Sequence, residues 1–298
     1  MYGQRKYCFS FDFYVRFFSP LFVVVTQPIF SCPLTVAFVP HFNRCIHTHT
    51  HTHTISIPSG TVASRPGPIL AACERFEIVV AGVGGHAAMP HLTIDPIVTA
   101  SSIVMNLQTL VSRTLSPLES GVCSITKFEA GDAFNVIPAS AVLRGTIRAL
   151  STETLLQLRD KVHHVVSTTA AVHGCNVTIT YSPDYYPPTV NDLTLFEWSK
   201  HVGAMVSDDG TLMDIEPTMG AEDFSFVAET IPSTFFLLGQ GSGKSPDTNY
   251  GLHHPHFALD ESILPRGVQL HVNLALRALK KLSTTTKNKD QQTATTKA

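Results

Sequence analysis

The sequence lacks the features that define several protein classes. Its six cysteines are scattered with no Cys-x-x-Cys pair, so neither a disulfide framework nor a cysteine-rich zinc finger is indicated. Only 15% of the residues are charged, against about 25% in an average globular protein. The formal net charge of -2 argues against a broad surface for nucleic acid or an anionic membrane. At 298 residues, the chain is long enough for one large domain or two ordinary ones.

The amino-terminal stretch also lacks an uninterrupted membrane span. Residues 17–43 carry no charge, and their number exceeds the roughly 20 apolar residues that a span needs. Four prolines interrupt them, however, and each one removes a helical hydrogen bond: Pro20, Pro28, Pro33 and Pro40. We therefore expect residues 1–58 to be an irregular leader, with a signal or anchor as the alternative. A cytoplasmic location is slightly favoured.

A strict His-Thr repeat occupies residues 47–54 of this leader. Neutral imidazoles bind divalent metals, so a metal-binding tract is one interpretation, and simple low complexity is the other. If the tract is extended, the alternation places all of its histidines on the same face; otherwise it does not.

Residues 75–182 predict six elements in the order β-α-β-β-α-β. A β-branched strand at 76–81 precedes an amphipathic helix that starts after Asp95. Strands at 121–130 and 142–150 follow, then a helix with Ser151 as its N-cap and a last strand at 177–181. This order is the ferredoxin-like pattern.

The remaining sequence predicts helices with few strands. Residues 234–238 read as one buried strand, and about three helices surround it, the last with Pro265 in its first turn. The alternation suits an α/β fold but offers too few strands for an independent sheet. Residues 283–298 are polar and rich in Thr and Lys, and we expect a disordered tail.

Four short motifs occur in a fixed order along the chain. They are GTVASRPGP at 60–68, GGHAAMPH at 84–91 with Asp95-Pro96, NVIP at 135–138 followed by GTIR at 145–148, and GAEDF at 220–224 with HHPHF at 253–257. From Ser59 to Leu282 the chain resembles the aminoacylase and auxin-conjugate (indole-acetyl amino acid) hydrolase family of dinuclear-metal amidohydrolases, in the zinc peptidase superfamily.

The resemblance implies an α/β architecture with a ferredoxin-like lid and dimerisation domain at residues 75–187. The lid is inserted into an α/β catalytic domain of the zinc-peptidase type, of which residues 59–74 and 188–282 form a truncated part. The implied substrate is a small N-acyl or N-conjugated amino acid, and the implied assembly is a homodimer through the lid.

The resemblance also assigns roles in catalysis and substrate binding. His86 would stabilise the oxyanion of the scissile carbonyl, usually in the partner subunit. The alternative for His86 is a turn histidine bonded to backbone. Asn135 and Arg148 match lid residues that hold polar groups of the substrate, and Arg suits a carboxylate through its planar fork. Arg148 alone would simply lie on the solvent face of a strand.

Metal binding is assigned to His253, the first histidine of a His-x-Pro-x-Phe motif in the family. A neutral imidazole suits zinc, manganese or cobalt. Glu222 and Asp223 would either orient a metal-bound histidine or cap a helix N-terminus, and neither is assigned as the general base.

Two motifs of the family are missing from the printed sequence. There is no Cys-Gly-His-Asp-type motif and no adjacent pair of glutamates, which supply the other metal ligands and the general base in the family. Two functions therefore stay open: a metal-dependent amidohydrolase, and a non-catalytic dimerisation or interaction fragment. A third interpretation is a metal-binding protein that acts through its His-Thr repeat.

Overall fold

The computed structural model describes the backbone of residues 13–15, 24–26, 34–38, 46–241, 250 and 254–295. It describes the side chains of residues 57–241, 250 and 254–281. The chain divides into two compact units. Unit 1 comprises Met1–Gly67, Val190–Glu216 and Val227–Ala298, and unit 2 comprises Pro68–Thr189 and Pro217–Phe226.

The strands, in chain order, are β1 (Phe13–Val15), β2 (Val24–Thr26), β3 (Leu34–Phe38), β4 (Ile46–Pro58), β5 (Val62–Ser64), β6 (Gly67–Leu70), β7 (Ala72–Ala81), β8 (Gly85–His86), β9 (Gly121–Ala130), β10 (Val136–Ile137), β11 (Ser140–Ala149), β12 (Asn176–Tyr181), β13 (Thr189–Asn191), β14 (Leu212–Asp214) and β15 (Ser233–Gly241). The helices are α1 (Pro96–Thr114), α2 (Thr152–Val172), α3 (Leu193–Val206), α4 (Phe224–Thr230) and α5 (Leu264–Thr295).

Unit 2 is built on a four-stranded antiparallel sheet in the order β12-β7-β11-β9. Helices α1 and α2 pack on this sheet around one hydrophobic core, which includes the fully buried Ile78, Leu143 and Leu158. The sequence of elements β7-α1-β9-β11-α2-β12 confirms the predicted ferredoxin-like fold. Ser151 caps α2 by accepting a hydrogen bond from the Thr154 N–H at 3.1 Å, as predicted.

One carboxylate lies at the end of this core, on the buried side of β7. Glu74 is only 4% exposed and pairs with the Arg159 guanidinium of α2 at 3.2 Å. Arg159 also lies over the ring of Tyr181, 4.4 Å from its centroid. Burial raises the pKa of Glu74 above its ordinary value, and the charge of Arg159 opposes that rise. Glu74 thus carries a desolvation cost that Arg159 partly offsets.

Unit 1 contains a five-stranded mixed sheet in the order β14-β5-β15-β4-β3. Strands β4 and β15 run parallel, whereas β3 is antiparallel to β4 and β5 is antiparallel to β15. Helices α3 and α5 contribute Val202 and Leu270 to a buried cluster with Phe236 and Leu238 of β15. The α/β class predicted for the chain is therefore confirmed.

The structure differs from the sequence-based expectations at both ends of unit 1. The His-Thr repeat, which we placed in an irregular leader, lies inside β4 and pairs with β15 from His47 to Thr54. It forms a strand because β15 and β3 supply hydrogen-bonding partners on both sides. The polar tail, predicted to be disordered, continues α5 as far as Thr295, in a stretch without Gly or Pro. None of the described helices is both long and apolar enough to span a membrane.

Candidate functional site

His86 and Asn135 lie together on a two-stranded ribbon that extends from unit 2. Strands β8 and β10 pair antiparallel, with Val136 opposite His86. The Ala87 N–H donates to the Asn135 carbonyl at 3.0 Å, and both candidate side chains are exposed. A Cβ at Gly84 would lie 2.7 Å from the Ile137 carbonyl oxygen, so this ribbon requires glycine there. The structure therefore brings these two predicted residues into one exposed feature.

The tautomer of His86 follows from its local contact. Its Nδ1 accepts a hydrogen bond from the Ala88 N–H at 3.1 Å. In a neutral imidazole, a nitrogen that accepts carries no proton, so the proton resides on Nε2. This leaves Nε2–H as a donor on the exposed ribbon.

Arg148 lies far from this ribbon. Strand β11 places Ser140 opposite Ala81, near the ribbon, and Arg148 opposite Cys73, eight residues further along. At about 3.3 Å per residue, this separation is about 26 Å. The Arg148 Nη1 instead donates to the Met219 carbonyl at 2.7 Å. His86 and Arg148 of one chain therefore do not approach each other.

The segment that contacts Arg148 carries the predicted Glu222 and Asp223. It is fixed to the preceding strands because the Thr218 N–H donates to the Ile69 carbonyl at 3.0 Å and the Ala71 N–H donates to the Gly220 carbonyl at 2.8 Å. Sequence reasoning did not single out Met219, since a main-chain acceptor leaves no signal in side-chain patterns.

Glu222 is partly buried, whereas Asp223 is exposed. Burial first, and then the hydrogen bond and charge of Asp223, raise the pKa of Glu222 to about 7. The main-chain carbonyls of Glu222 and Asp223 accept hydrogen bonds from the N–H groups of Ser225 and Phe226, both at 3.1 Å, where α4 begins. The roles predicted for the two carboxyl groups stay predictions.

His253 lies outside the described residues, but the adjoining loop is described in part. The Tyr250 and His254 rings stack with their centroids 4.2 Å apart, and the His254 Nδ1 accepts from the His256 N–H at 3.1 Å. Within the part of the chain that the structure describes, no three His, Cys, Asp or Glu side chains are grouped to hold a metal ion.

Comparisons with known proteins support the ferredoxin-like fold of unit 2. Residues 74–173 match the model of the peptidase dimerisation domain of the M20 type. The IAA-amino acid hydrolase ILR1-like 4 of Arabidopsis thaliana is 41% identical over 237 residues, covering 78% of this chain and 53% of the relative. The IAA-amino acid hydrolase ILR1-like 2 of the same plant is 44% identical over 229 residues, covering 75% of this chain and 51% of the relative.

A solved structure resembles the same part of the chain. It is a Bacillus subtilis protein described as a dinuclear metal binding peptidase from the M20 family, with a TM-score of 0.58 and 28% identity. The match covers 76% of this chain and 56% of that one. The chain spans about half the length of the curated relatives that it matches. With its ferredoxin-like unit and the ordered motifs, the chain contains a peptidase dimerisation domain of the M20 type and is a homologue of the IAA-amino acid hydrolases.

Proposed function

We propose that the chain acts in a metal-dependent amidohydrolase that cleaves the amide bond of N-acyl or N-conjugated amino acids. The observation that carries this proposal is the anchoring of Arg148 by the Met219 carbonyl, directly beside the segment with Glu222 and Asp223. One of the five guanidinium N–H donors is used there, and no other partner of Arg148 lies among the described residues. The remaining donors can bind the carboxylate that every N-acylated amino acid carries.

His86 is proposed to act on the other side of the scissile bond. Its Nε2–H donor suits the oxygen of the amide carbonyl, where negative charge develops during attack. Because Arg148 lies about 26 Å along β11 from the end of that strand that leads to the His86 ribbon, we infer that one small substrate does not touch both residues of one chain. We therefore propose a homodimer, in which His86 and Asn135 of one copy serve a substrate held by Arg148 of the other.

The described residues do not supply the donor set of a dinuclear metal centre. Such a centre needs several protein ligands and an oriented water, and no described group of three donors exists. His253 is the ligand that we propose within this chain, and its imidazole suits zinc, manganese or cobalt. When bound, the metal would supply the activated water; the residues above bind and orient the substrate.

A second candidate function is a non-catalytic dimerisation or interaction module. It is favoured by the missing Cys-Gly-His-Asp-type motif and glutamate pair in the printed sequence, together with the lack of a grouped donor set among the described residues. The folded lid would then retain substrate and partner binding without turnover.

Calorimetry with an N-acetyl amino acid tests the proposed role of Arg148. We expect Arg148→Gln to weaken binding by at least tenfold, because a charge-assisted pair contributes about 1.5–3 kcal/mol. The matched control is Arg144→Gln. It also removes a guanidinium from β11, but that guanidinium pairs with Glu77 and Glu129. Equal affinities for the wild type and Arg148→Gln would contradict the proposal.

A further inference from the structure

The end of the β8–β10 ribbon carries an aromatic side chain that lies entirely in solvent. Phe134 is fully exposed, whereas the next most exposed phenylalanine among the described residues, Phe226, is 44% exposed. Phe134 lies in the turn that leads into β10, where the Val136 N–H donates to the Ala133 carbonyl at 3.4 Å. Burial of a phenylalanine ring is favourable, so a ring left in water directly before Asn135 indicates a surface that binds an apolar group.

The pairing of the ribbon brings Phe134 close to the imidazole of His86. The Ala87 N–H donates to the Asn135 carbonyl at 3.0 Å, so Phe134 is the next residue outward on its strand. The His86 Nδ1 accepts from the Ala88 N–H at 3.1 Å, which holds the imidazole at this same end of the ribbon. Opposite residues of an antiparallel pair lie about 4.5–5.5 Å apart, so a ring at position 134 can reach a group bound at His86.

The segments around this ring are uncharged apart from histidine. Residues 83–94 and 133–143 contain no Asp, Glu, Lys or Arg. Further large apolar side chains of these two segments are exposed, namely Val83, Met89, Leu92 and Val136. A charged group that docked here would lose water without gaining an ion pair from these segments, whereas a neutral apolar group would gain contacts. The end of the ribbon therefore suits an apolar ligand.

The substrate class proposed above has one part that no residue yet holds. Arg148 of one copy binds the carboxylate of the amino acid, and His86 of the other copy binds the carbonyl oxygen of the scissile amide. The remaining part is the acyl group, which is attached directly to that carbonyl carbon. Because Phe134 lies beside His86, the acyl group is the part of the substrate within its reach.

We propose that Phe134 binds the acyl group and makes the protein select N-acyl amino acids whose acyl group is aromatic. This inference rests on the proposed function, since the ring serves a substrate that Arg148 of the other copy holds. Aromatic rings pair in offset or edge-to-face geometry, which gives an aryl group an advantage over a methyl group of the same conjugate.

Calorimetry with two conjugates of one amino acid tests the role of Phe134. N-acetyl-leucine and N-phenylacetyl-leucine differ only in the acyl group. We expect the full chain to bind the phenylacetyl conjugate about tenfold more tightly, and Phe134→Ala to lose this preference while it keeps its affinity for N-acetyl-leucine. The variant should fold, because truncating a fully exposed ring removes no buried surface. Val172→Ala is the matched control: its side chain is 79% exposed on α2, and it should keep the preference.

The outcomes separate this inference from the proposed function. Arg148→Gln should weaken both conjugates by the same factor, so absolute affinity reports on Arg148 and the ratio of the two affinities reports on Phe134. Unchanged affinities in Arg148→Gln would contradict the proposed function. A wild type without the preference, or a preference that survives Phe134→Ala, would overturn the inference alone. Phe134→Ala should also stay dimeric in sedimentation; a monomeric variant would overturn the inference by showing that the ring packs on the other copy.

A mixed dimer tests whether the ring acts across the two copies. Phe134→Ala and Arg148→Gln chains are co-expressed with different affinity tags, and the mixed dimer is isolated through both tags. One of its two sites then combines the intact Arg148 of the first chain with the intact Phe134 of the second, and the other site has neither. We expect binding with the aromatic preference at half the wild-type number of sites. A mixed dimer without any selective site would overturn the inference.

Discussion

Removing Arg159 should destabilise unit 2 far more than neutralising its partner, Glu74. Arg159→Gln leaves a carboxylate that is 4% exposed without its compensating charge. Breaking a buried ion pair costs about 3–5 kcal/mol, whereas exposed pairs contribute less than about 1 kcal/mol. Because the Arg159 side chain is 43% exposed, solvent screens the pair, and we expect a loss of about 2 kcal/mol. Glu74→Gln leaves only a solvated guanidinium and should cost about 1 kcal/mol or less.

The pH dependence distinguishes this explanation from a simple loss of packing. Burial raises the pKa of Glu74 above 4.5 in the folded state, so its contribution to stability is fully present below pH 4.5 and is lost as the pH rises through the folded pKa. Arg159 lowers that pKa and limits the loss. The loss in free energy of unfolding caused by Arg159→Gln should therefore be largest at neutral pH and shrink as the pH falls and Glu74 takes up a proton.

Hydrogen exchange of the core amides of β7 and β11 measures this free energy within unit 2. Ile78 and Leu143 are suitable probes because both are fully buried. A loss of about 2 kcal/mol corresponds to about 30-fold faster exchange after correction for intrinsic rates. Arg144→Gln is the matched control: its side chain is 42% exposed, but its partners Glu77 and Glu129 are also exposed, so little change is expected. An Arg159→Gln effect no larger than that of Glu74→Gln, or one unchanged at pH 4.5, would refute the reasoning.

Three further outcomes are expected. A fragment of residues 75–187 should fold and self-associate in sedimentation experiments, because β9 and β12 are the open edges of its sheet; a folded but strictly monomeric fragment would contradict this. With added zinc or manganese, the 298-residue chain should hydrolyse N-acetyl or indole-acetyl amino acids only near the background rate, because the printed sequence lacks the other metal-ligand motifs. Metal-dependent turnover of about 1 per second that His253→Ala abolishes would instead show that other residues supply those ligands. Gly67→Ala should lower the free energy of unfolding by about 1 kcal/mol, because the backbone φ of +73° strains any residue with a Cβ although nothing lies within 4 Å of the added carbon. Gly210→Ala, with a φ of +71° and equally open space, should lose a similar amount. Thermal unfolding measures both losses, and no loss at either position would contradict this.

The lid fold could be predicted because its signals are local. Alternation along β11, the spacing of apolar residues in α1 and the Ser151 cap each lie within one element, and they fix the β-α-β-β-α-β order. Strand β7 begins at Ala72, four residues before its predicted start, because pairing with β11 continues to Ala149. Periodicity alone does not reveal where a partner strand ends.

The sheet of unit 1 and the surroundings of Arg148 depend on contacts distant in sequence. Strand β4 forms against β15, whose residues follow it by nearly two hundred positions, so the repeat itself carries no strand signal. Arg148 meets Met219 across 71 residues. Sequence reasoning selected Arg148 by resemblance, but it could not show that His86 lies at the opposite end of β11. That separation depends on the register of the pairing.

The His-Thr repeat has a period of two residues, and so does the strand that contains it. Adding or deleting one whole pair would slide β4 against β15 by a single pleat, about 6.6 Å, and every remaining position would keep its phase. Gain or loss of one residue would instead reverse the phase of the strand on one side of the change. Length variants of this repeat that differ by whole pairs thus keep the phase of the strand, whereas odd-numbered ones need a further β-bulge, like the register shift that already lies opposite Leu238 and Gly239. Lengthening by whole His-Thr pairs, six nucleotides each in the coding sequence, would therefore preserve the alternation of the strand while shifting its register.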